Sequence, residues 1–163
     1  MIRFGDGDRR FSMRVGAVIL HEDHALVERG EEGGAEYWFL PGGRAEIGEP
    51  AGDTLRREML EELGVDVEVG RLTHVIEYFF GMDGVEYHQL ALYFAANLPP
   101  CYLLESPGPY FRNDGEVDLH FDWLPVADLS RHTLYPRYFE HGTLADLPLT
   151  PLHIVVREAE APP

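Results

Sequence analysis

The chain contains no lysine: all thirteen of its basic residues are arginine. Against 29 acidic residues they leave a net charge of −16. Such a field repels nucleic acids and anionic membranes, and no basic stripe offsets it. It also repels phosphorylated small molecules, unless bound cations reverse the sign locally. Any side-chain cation that meets a phosphate here is arginine or a protonated histidine. Cysteine is almost absent too. The single Cys101 excludes an internal disulfide and any multi-cysteine metal site. With no motif around it, it reads as a small buried hydrophobe. No apolar run is long enough to span a bilayer. The opening residues, MIRFGDGDRRFSMRVG, lack the charged-then-apolar order of a signal peptide. These absences lead to the expectation of a cytoplasmic protein with no nucleic-acid and no membrane partner.

There is enough apolar material to fold. A chain of 163 residues, 45% hydrophobic, suits one domain with one sizeable core. No repeat, linker or low-complexity run divides it, so the expected unit is 1–163, with its core at about 13–157 and looser termini. Residues up to about Ser12 read as loose or as an edge strand. MRVGAVIL (13–20) reads as a buried strand, and HALVER (24–29) as its hairpin partner. GEEGGAE (30–36) reads as a mobile acidic loop. WFLPGG (38–43) reads as a short strand stopped by Pro-Gly-Gly. A helix is expected after Pro50, ending at Gly64. Strands follow at about Val65–Val69 and Leu72–Phe80. Asp83-Gly84 turns a hairpin into Val85–Ala96. Residues 99–115 read as a Pro/Gly-bearing loop and 119–125 as a strand. Two short helices, Pro125–Leu129 and Tyr135–His141, then precede HIVV (153–156), a last strand or turn. Mostly strands with one strong helix suggests α+β, a mixed sheet with helices on its faces.

The helix carries an electrostatic conflict. In REMLEELG (57–64), Glu58, Glu61 and Glu62 fall on one stripe beside the apolar face of Leu55, Met59 and Leu63. Like charges at such spacings each cost a few tenths of a kcal/mol. Arg57 sits four residues before Glu61, but one arginine does not neutralise three carboxylates. A hard divalent cation does, since Mg²⁺ takes a few carboxylate oxygens and keeps positions for water or phosphate. The bland reading of REMLEELG alone is a solvated acidic face. Its context argues otherwise. GRAEIGEPAGDTLRREMLEELGV (43–65) fits G-x5-E-x7-R-E-U-x-E-E-x-G-U at every fixed position, with U apolar. Given this composition, a chance match anywhere in the chain is roughly a few in a million.

The run resembles the signature of the Nudix hydrolases. WFLPGG before it resembles the family's usual approach to that box, and FDWLP (121–125) with LYP (134–136) resembles a common closing segment. The resemblance covers about residues 13–136. It implies an α/β/α sandwich with a mixed sheet, the box forming a loop-helix-loop. It implies cleavage of a nucleoside diphosphate linked to another moiety, with Mg²⁺ or Mn²⁺. By the same resemblance Glu58, Glu61 and Glu62 bind metal, and Glu58 or Glu61 is the candidate base. Glu49 orients or assists at the metal. Arg57 braces a carboxylate, and the carbonyl of Gly43 is a metal ligand in some relatives. A further acid outside the box is common in the family; Asp122 and Glu116 are the candidates. Arg29 is a candidate for the phosphates.

Other residues have plainer readings. Tyr78, Phe79, Phe80, Tyr87 and Tyr93 read as strand aromatics, mostly core, one of them free to stack a base. Trp38 reads as core. His88 reads as a core or surface histidine, with the cleft as its other location. The chain lacks the arginine-rich pattern before the box associated with coenzyme A hydrolases. Gly81, Met82 and Asp83 stand where a proline or tyrosine would mark ADP-ribose or dinucleoside polyphosphates. The expected substrate is a nucleoside di- or triphosphate, or a nucleotide sugar such as ADP-ribose. A non-catalytic nucleotide-binding module on the same fold is the alternative, and such modules often lose box carboxylates that this chain keeps. Relatives are often dimers, so the resemblance leaves a homodimer open.

Overall fold

The computed structural model describes residues 1–100, 110–114 and 117–159. Cys101 and Glu116 lie outside the described residues, as does the tail from 160. Two long strands organise the fold. They are β2 (Arg9–His21) and β3 (His24–Glu32), preceded by β1 (Arg3–Asp6). β2 and β3 pair only next to their turn, at Leu20–Ala25 and His21–His24, and then diverge. Each then recruits its own neighbours. β2 takes β1 and β5 (Gly42–Arg44) along one edge, both antiparallel. Along its other edge it takes β7 (Val85–Asn97), parallel. β6 (Glu68–Met82) pairs antiparallel with β7, and β11 (Leu152–Glu158) pairs parallel with β6. β3 takes β4 (Ala35–Phe39) on one side and β9 (Val117–Pro125) on the other; β8 (Tyr110–Asp114) and β10 (Leu134–Tyr135) complete that half. The divergence opens a cleft between the two halves of a mixed, α+β sheet.

The single α-helix among the described residues, α1 (Ala51–Leu63), closes one side. Leu55, Met59 and Leu63 are fully buried against Val15 and Ala17 of β2, Leu26 of β3 and Phe121 of β9. Burying side chains of this size contributes about 1.5–3 kcal/mol each. The helix ends where Gly64 adopts φ 70°; its N–H bonds to the Leu60 carbonyl, and that of Val65 to Met59. The Gly64 bond is that of the αL cap, and it stops the helix just past the last carboxylate. On the opposite face, Val18, Val27, Tyr93 and Leu40 pack on Leu129, Phe139 and Leu144. The second layer of the sandwich therefore consists of two short 3-10 helices, Val126–Arg131 and Arg137–His141.

Several local expectations need correction. Residues 30–36 are a hairpin: β3 runs on to Glu32, and Gly33 and Gly34, both at positive φ, turn it into β4. Two left-handed residues give the turn whose twist matches paired strands, which outweighs the acidic composition. The two expected strands at 65–80 are one, β6, with register shifts between Val69 and His74. The expected loop 99–115 contains β8 within its described part. Of the two readings of the first residues, the edge strand holds: β1 pairs antiparallel with β2. The strand reading of residues 153–156 holds as well, within β11.

Candidate active site

The carboxylates of α1 reach the cleft across two adjacent glycines with different duties. Gly42 has φ 138°, and a Cβ there would run into the backbone of Val15 and Gly16. Its glycine is therefore needed for the β5–β2 contact. A Cβ on Gly43 would overlap the carboxylate of Glu58. Gly43 is the gap through which that side chain lies against the sheet.

Arg57 is the hub. Its Nε and Nη2 donate to the two oxygens of Glu49 at 2.9 and 3.0 Å. Nη1 donates to Glu58 at 2.8 Å and to Glu61 at 3.2 Å, and Nη2 also reaches the Arg44 carbonyl at 3.2 Å. Glu49 Oε2 accepts as well from the Thr54 hydroxyl at 2.8 Å and the Glu46 N–H at 3.2 Å. These bonds favour the ionised form, led by Arg57, and hold the Glu49 carboxyl at about 2. The Arg57 guanidinium is correspondingly held above its usual value, chiefly by Glu49 and then, with burial opposing, by Glu58.

Glu62 is in the opposite situation. Its Oε2 is buried and has no hydrogen-bond partner. Burial first, and then the neighbouring Glu28, push its carboxyl well above the usual range, with Arg14 opposing. Glu28 is only 7% exposed. It too is pushed up, mainly by burial and further by Glu58, again with Arg14 opposing. Two buried carboxylates so close together lack the positive charge that would let both ionise. Among the described residues no three His, Cys, Asp or Glu side chains form a finished cation cage. Glu58 and Glu61 are turned to Arg57. The donor set nevertheless fits a hard divalent ion: oxygens alone, one of them orphaned and buried, beside carboxylates that burial keeps from ionising together.

These groups line a cleft of about 490 Å³. Arg3, Arg14 and Arg44 line it next to the carboxylates. Beyond them stand aromatic walls. On one side Tyr37 stacks with Phe39 at 6.1 Å and meets Tyr135 edge-on at 6.2 Å. On the other Phe80 stacks on Tyr87 at 4.9 Å and contacts Tyr78 at 4.6 Å.

The structure thus brings Gly43, Glu49, Arg57, Glu58, Glu61 and Glu62 together. It does not bring Arg29 or Asp122 to them. Arg29 follows Glu28 on β3, so its side chain points the other way; it pairs with Glu36 at 3.0 Å. Asp122 is in register with Val27, while Phe121 is in register with Glu28. Asp122 therefore shares the Val27 face, away from the cleft. His88 also turns outward, stacking on Phe79 at 4.2 Å. Sequence reasoning missed Glu28, Arg14, Arg44 and Arg3. Glu28 and Arg14 sit in strands buried on both faces, where unbroken apolar neighbours hide which way a side chain points.

The NUDIX domain profile matches residues 10–143. The chain belongs to the Nudix family of hydrolases. It is similar to the mutator protein MutT4 named from Mycobacterium tuberculosis, with 29% identity over 68% of this chain and 42% of that one. It is also similar to the low-salt glycan biosynthesis protein Agl8 of Haloferax volcanii, with 37% identity over 52% of this chain and 57% of that one. The chain thus spans about half the length of these curated relatives. Among solved structures, an ADP-ribose pyrophosphatase of Streptococcus suis superposes with a TM-score of 0.59 at 20% identity, covering 88% of this chain and 98% of that one. At that identity the likeness concerns the fold.

Proposed function

We propose that this protein hydrolyses a pyrophosphate bond in a nucleoside diphosphate linked to another moiety, with Mg²⁺ or Mn²⁺. The observation that carries the reading is the buried, unpartnered oxygen of Glu62 beside Glu28 and Glu58. Glu58, Glu61, Glu62 and the Gly43 carbonyl would hold the metal. When bound, a divalent ion supplies Lewis acidity at the phosphoryl oxygens and lowers the pKa of water. Arg57, anchored on Glu49, aims Glu58 and Glu61 into the cleft. Glu61, whose side chain is 51% exposed against 14% for Glu58, is the better placed of the two to accept a proton from the attacking water. The aromatic walls suit a nucleobase. A nucleoside di- or triphosphate, or a nucleotide sugar such as ADP-ribose, is the substrate class; the Streptococcus suis neighbour supports the latter by likeness only. Among the described residues no helix is long and apolar enough to cross a membrane.

The test is a nucleotide panel with Mg²⁺ and Mn²⁺, products identified by mass, run on the wild type and on Glu58→Gln and Glu62→Gln. Metal-dependent cleavage that falls by about 10²-fold or more in both variants is expected from losing charged groups at the reacting centre. Undiminished cleavage in both would refute the reading.

A further inference from the structure

The arginines of this acidic protein divide into two kinds. Arg9, Arg29, Arg56, Arg57, Arg131 and Arg137 each have a carboxylate within 4.0 Å. Arg3, Arg10, Arg14, Arg44, Arg71 and Arg157 have none among the described residues, although acids outnumber bases by 29 to 13; of these, Arg3, Arg14 and Arg44 line the cleft. These three share one location. Arg14 and Arg44 are direct register partners across β2 and β5. Side chains so paired start about 4.5–5.5 Å apart, and like charges there repel. Arg3 is in register with Ser12, which shares a face of β2 with Arg14. Arg44 is half-buried. A few contacts engage Arg14: one bond of 3.3 Å to the Leu40 carbonyl and a ring, Phe39, at 5.5 Å. For Arg3 and Arg44 the side-chain donors have no such bond within the described residues. Three guanidiniums held together against their mutual repulsion suit a multiply charged anion.

Their neighbours say which part of a substrate this is. On one side lie Glu28, Glu58 and Glu62, felt electrostatically by Arg14 or Arg44. On the other lie Phe39, under Arg14, and Tyr87, the aromatic neighbour that Arg44 feels. Arg3, Arg14 and Arg44 thus share the cleft lining with both the carboxylates and the aromatic rings. We propose that Arg3, Arg14 and Arg44 form a clamp that binds the nucleoside-side phosphate of the substrate directly, without a metal ion. This deepens the hydrolase reading and rests on it for the substrate class. It also explains how a protein of charge −16 captures an anion before its cations are considered: the local field at the clamp opposes the global one.

The experiment is calorimetric titration in EDTA. The probes are inorganic pyrophosphate and the monophosphates of adenosine, guanosine, cytidine and uridine, each beside its free nucleoside. The wild type should bind pyrophosphate and bind at least one monophosphate about 10-fold or more tighter than its nucleoside. Arg14→Gln and Arg44→Gln should each weaken pyrophosphate about 10-fold and close the gap between monophosphate and nucleoside. Arg14→Lys keeps the charge and should recover part of the affinity, which covers the case in which Arg14→Gln fails to fold. Arg157→Gln, an exposed arginine stacked on Phe79 outside the cleft, should match the wild type. Absence of pyrophosphate binding by the wild type in EDTA would overturn the clamp, as would arginine variants that bind like the wild type. A monophosphate that binds no better than its nucleoside would overturn the nucleoside-side placement. Hydrolysis with Mg²⁺ but no binding in EDTA sinks the clamp and leaves the hydrolase reading standing; binding in EDTA with no nucleotide cleaved does the reverse.

Discussion

Arg57 and Glu49 are joined by two parallel N–H···O bonds of 2.9 and 3.0 Å, across the loop that enters α1. The same guanidinium touches Glu58 and Glu61. The loop and the helix are thus tied together at the point where the carboxylates emerge. Lysine carries the charge but not the planar fork. Arg57→Lys should therefore lose about 1–3 kcal/mol of stability and more than about 10-fold in kcat, with a smaller change in KM. The pH signature is specific. The Glu49 carboxyl lies at about 2 in the folded protein, against 4.5 ordinarily. A depressed carboxyl contributes stability above its unfolded value and loses it as pH falls toward the folded one. The melting-temperature gap between the wild type and Glu49→Gln should be constant above about pH 5 and shrink steadily toward pH 2. A gap that does not change with pH would assign the bond no ionic character.

The two glycines of the loop should separate stability from function. Gly42→Ala places a Cβ on the backbone of Val15 at a φ of 138° that L residues avoid. Backbone does not give way, so a loss of about 2–4 kcal/mol is expected, read by denaturant titration. Gly43→Ala meets only the end of the Glu58 side chain, which can swing aside. It should keep most of its stability while activity and Mn²⁺ affinity drop about 10-fold or more, since the carboxylate is displaced from its place. If Gly43→Ala were fully active, the contact with Glu58 would have no catalytic meaning.

The box was legible in the sequence because its information is local. Leu55, Met59 and Leu63 fix the buried face of a helix, and that fixes where Glu58, Glu61 and Glu62 emerge. Glu28 was not legible. Ala25, Leu26 and Val27 before it are all fully buried, one face against α1 and the other against the 3-10 layer. Alternation is therefore silent about Glu28 and Arg29, and the pairing with β9 decides it. Arg3, Arg14 and Arg44 meet because β1 and β5 both pair with the same strand, β2. No spacing along the chain encodes that register. The α+β class was readable; the split of the sheet at the β2–β3 turn, which makes the cleft, was not.

Glu28 and Arg29 are consecutive yet point to opposite faces, as do Phe121 and Asp122 opposite them. Glu28→Gln should cut metal-dependent turnover by about 10-fold or more, as expected for a charge beside the carboxylate site. Asp122→Asn and Arg29→Gln should stay within about 3-fold of the wild type, as distant surface changes do. Steady-state kinetics with one nucleotide substrate decides this. A large loss in Asp122→Asn would mean that the β3–β9 register does not set which residues act.

Stability without divalent ions should have an unusual slope. Burial raises the carboxyls of Glu62 and Glu28 above their ordinary value of 4.5, helped by Glu28 and Glu58 for Glu62 and by Glu58 for Glu28. Between the unfolded and folded values the native state holds more protons than the unfolded state. Stability then falls as pH rises through that window, the reverse of the usual carboxylate case. In EDTA, the wild type should lose melting temperature steadily from about pH 5 toward pH 9. Glu62→Gln removes a buried charge and keeps a similar shape. It should flatten that slope and melt roughly 3–8 °C above the wild type at the alkaline end. Adding Mg²⁺ or Mn²⁺ should invert the order. Cation binding requires the ionised carboxylates, so the gain should grow with pH in the wild type and be small in Glu62→Gln. Differential scanning fluorimetry at several pH values, with and without the ion, measures all of this. If Glu62→Gln gained as much from Mn²⁺ as the wild type, the orphaned Glu62 oxygen would not belong to the cation site.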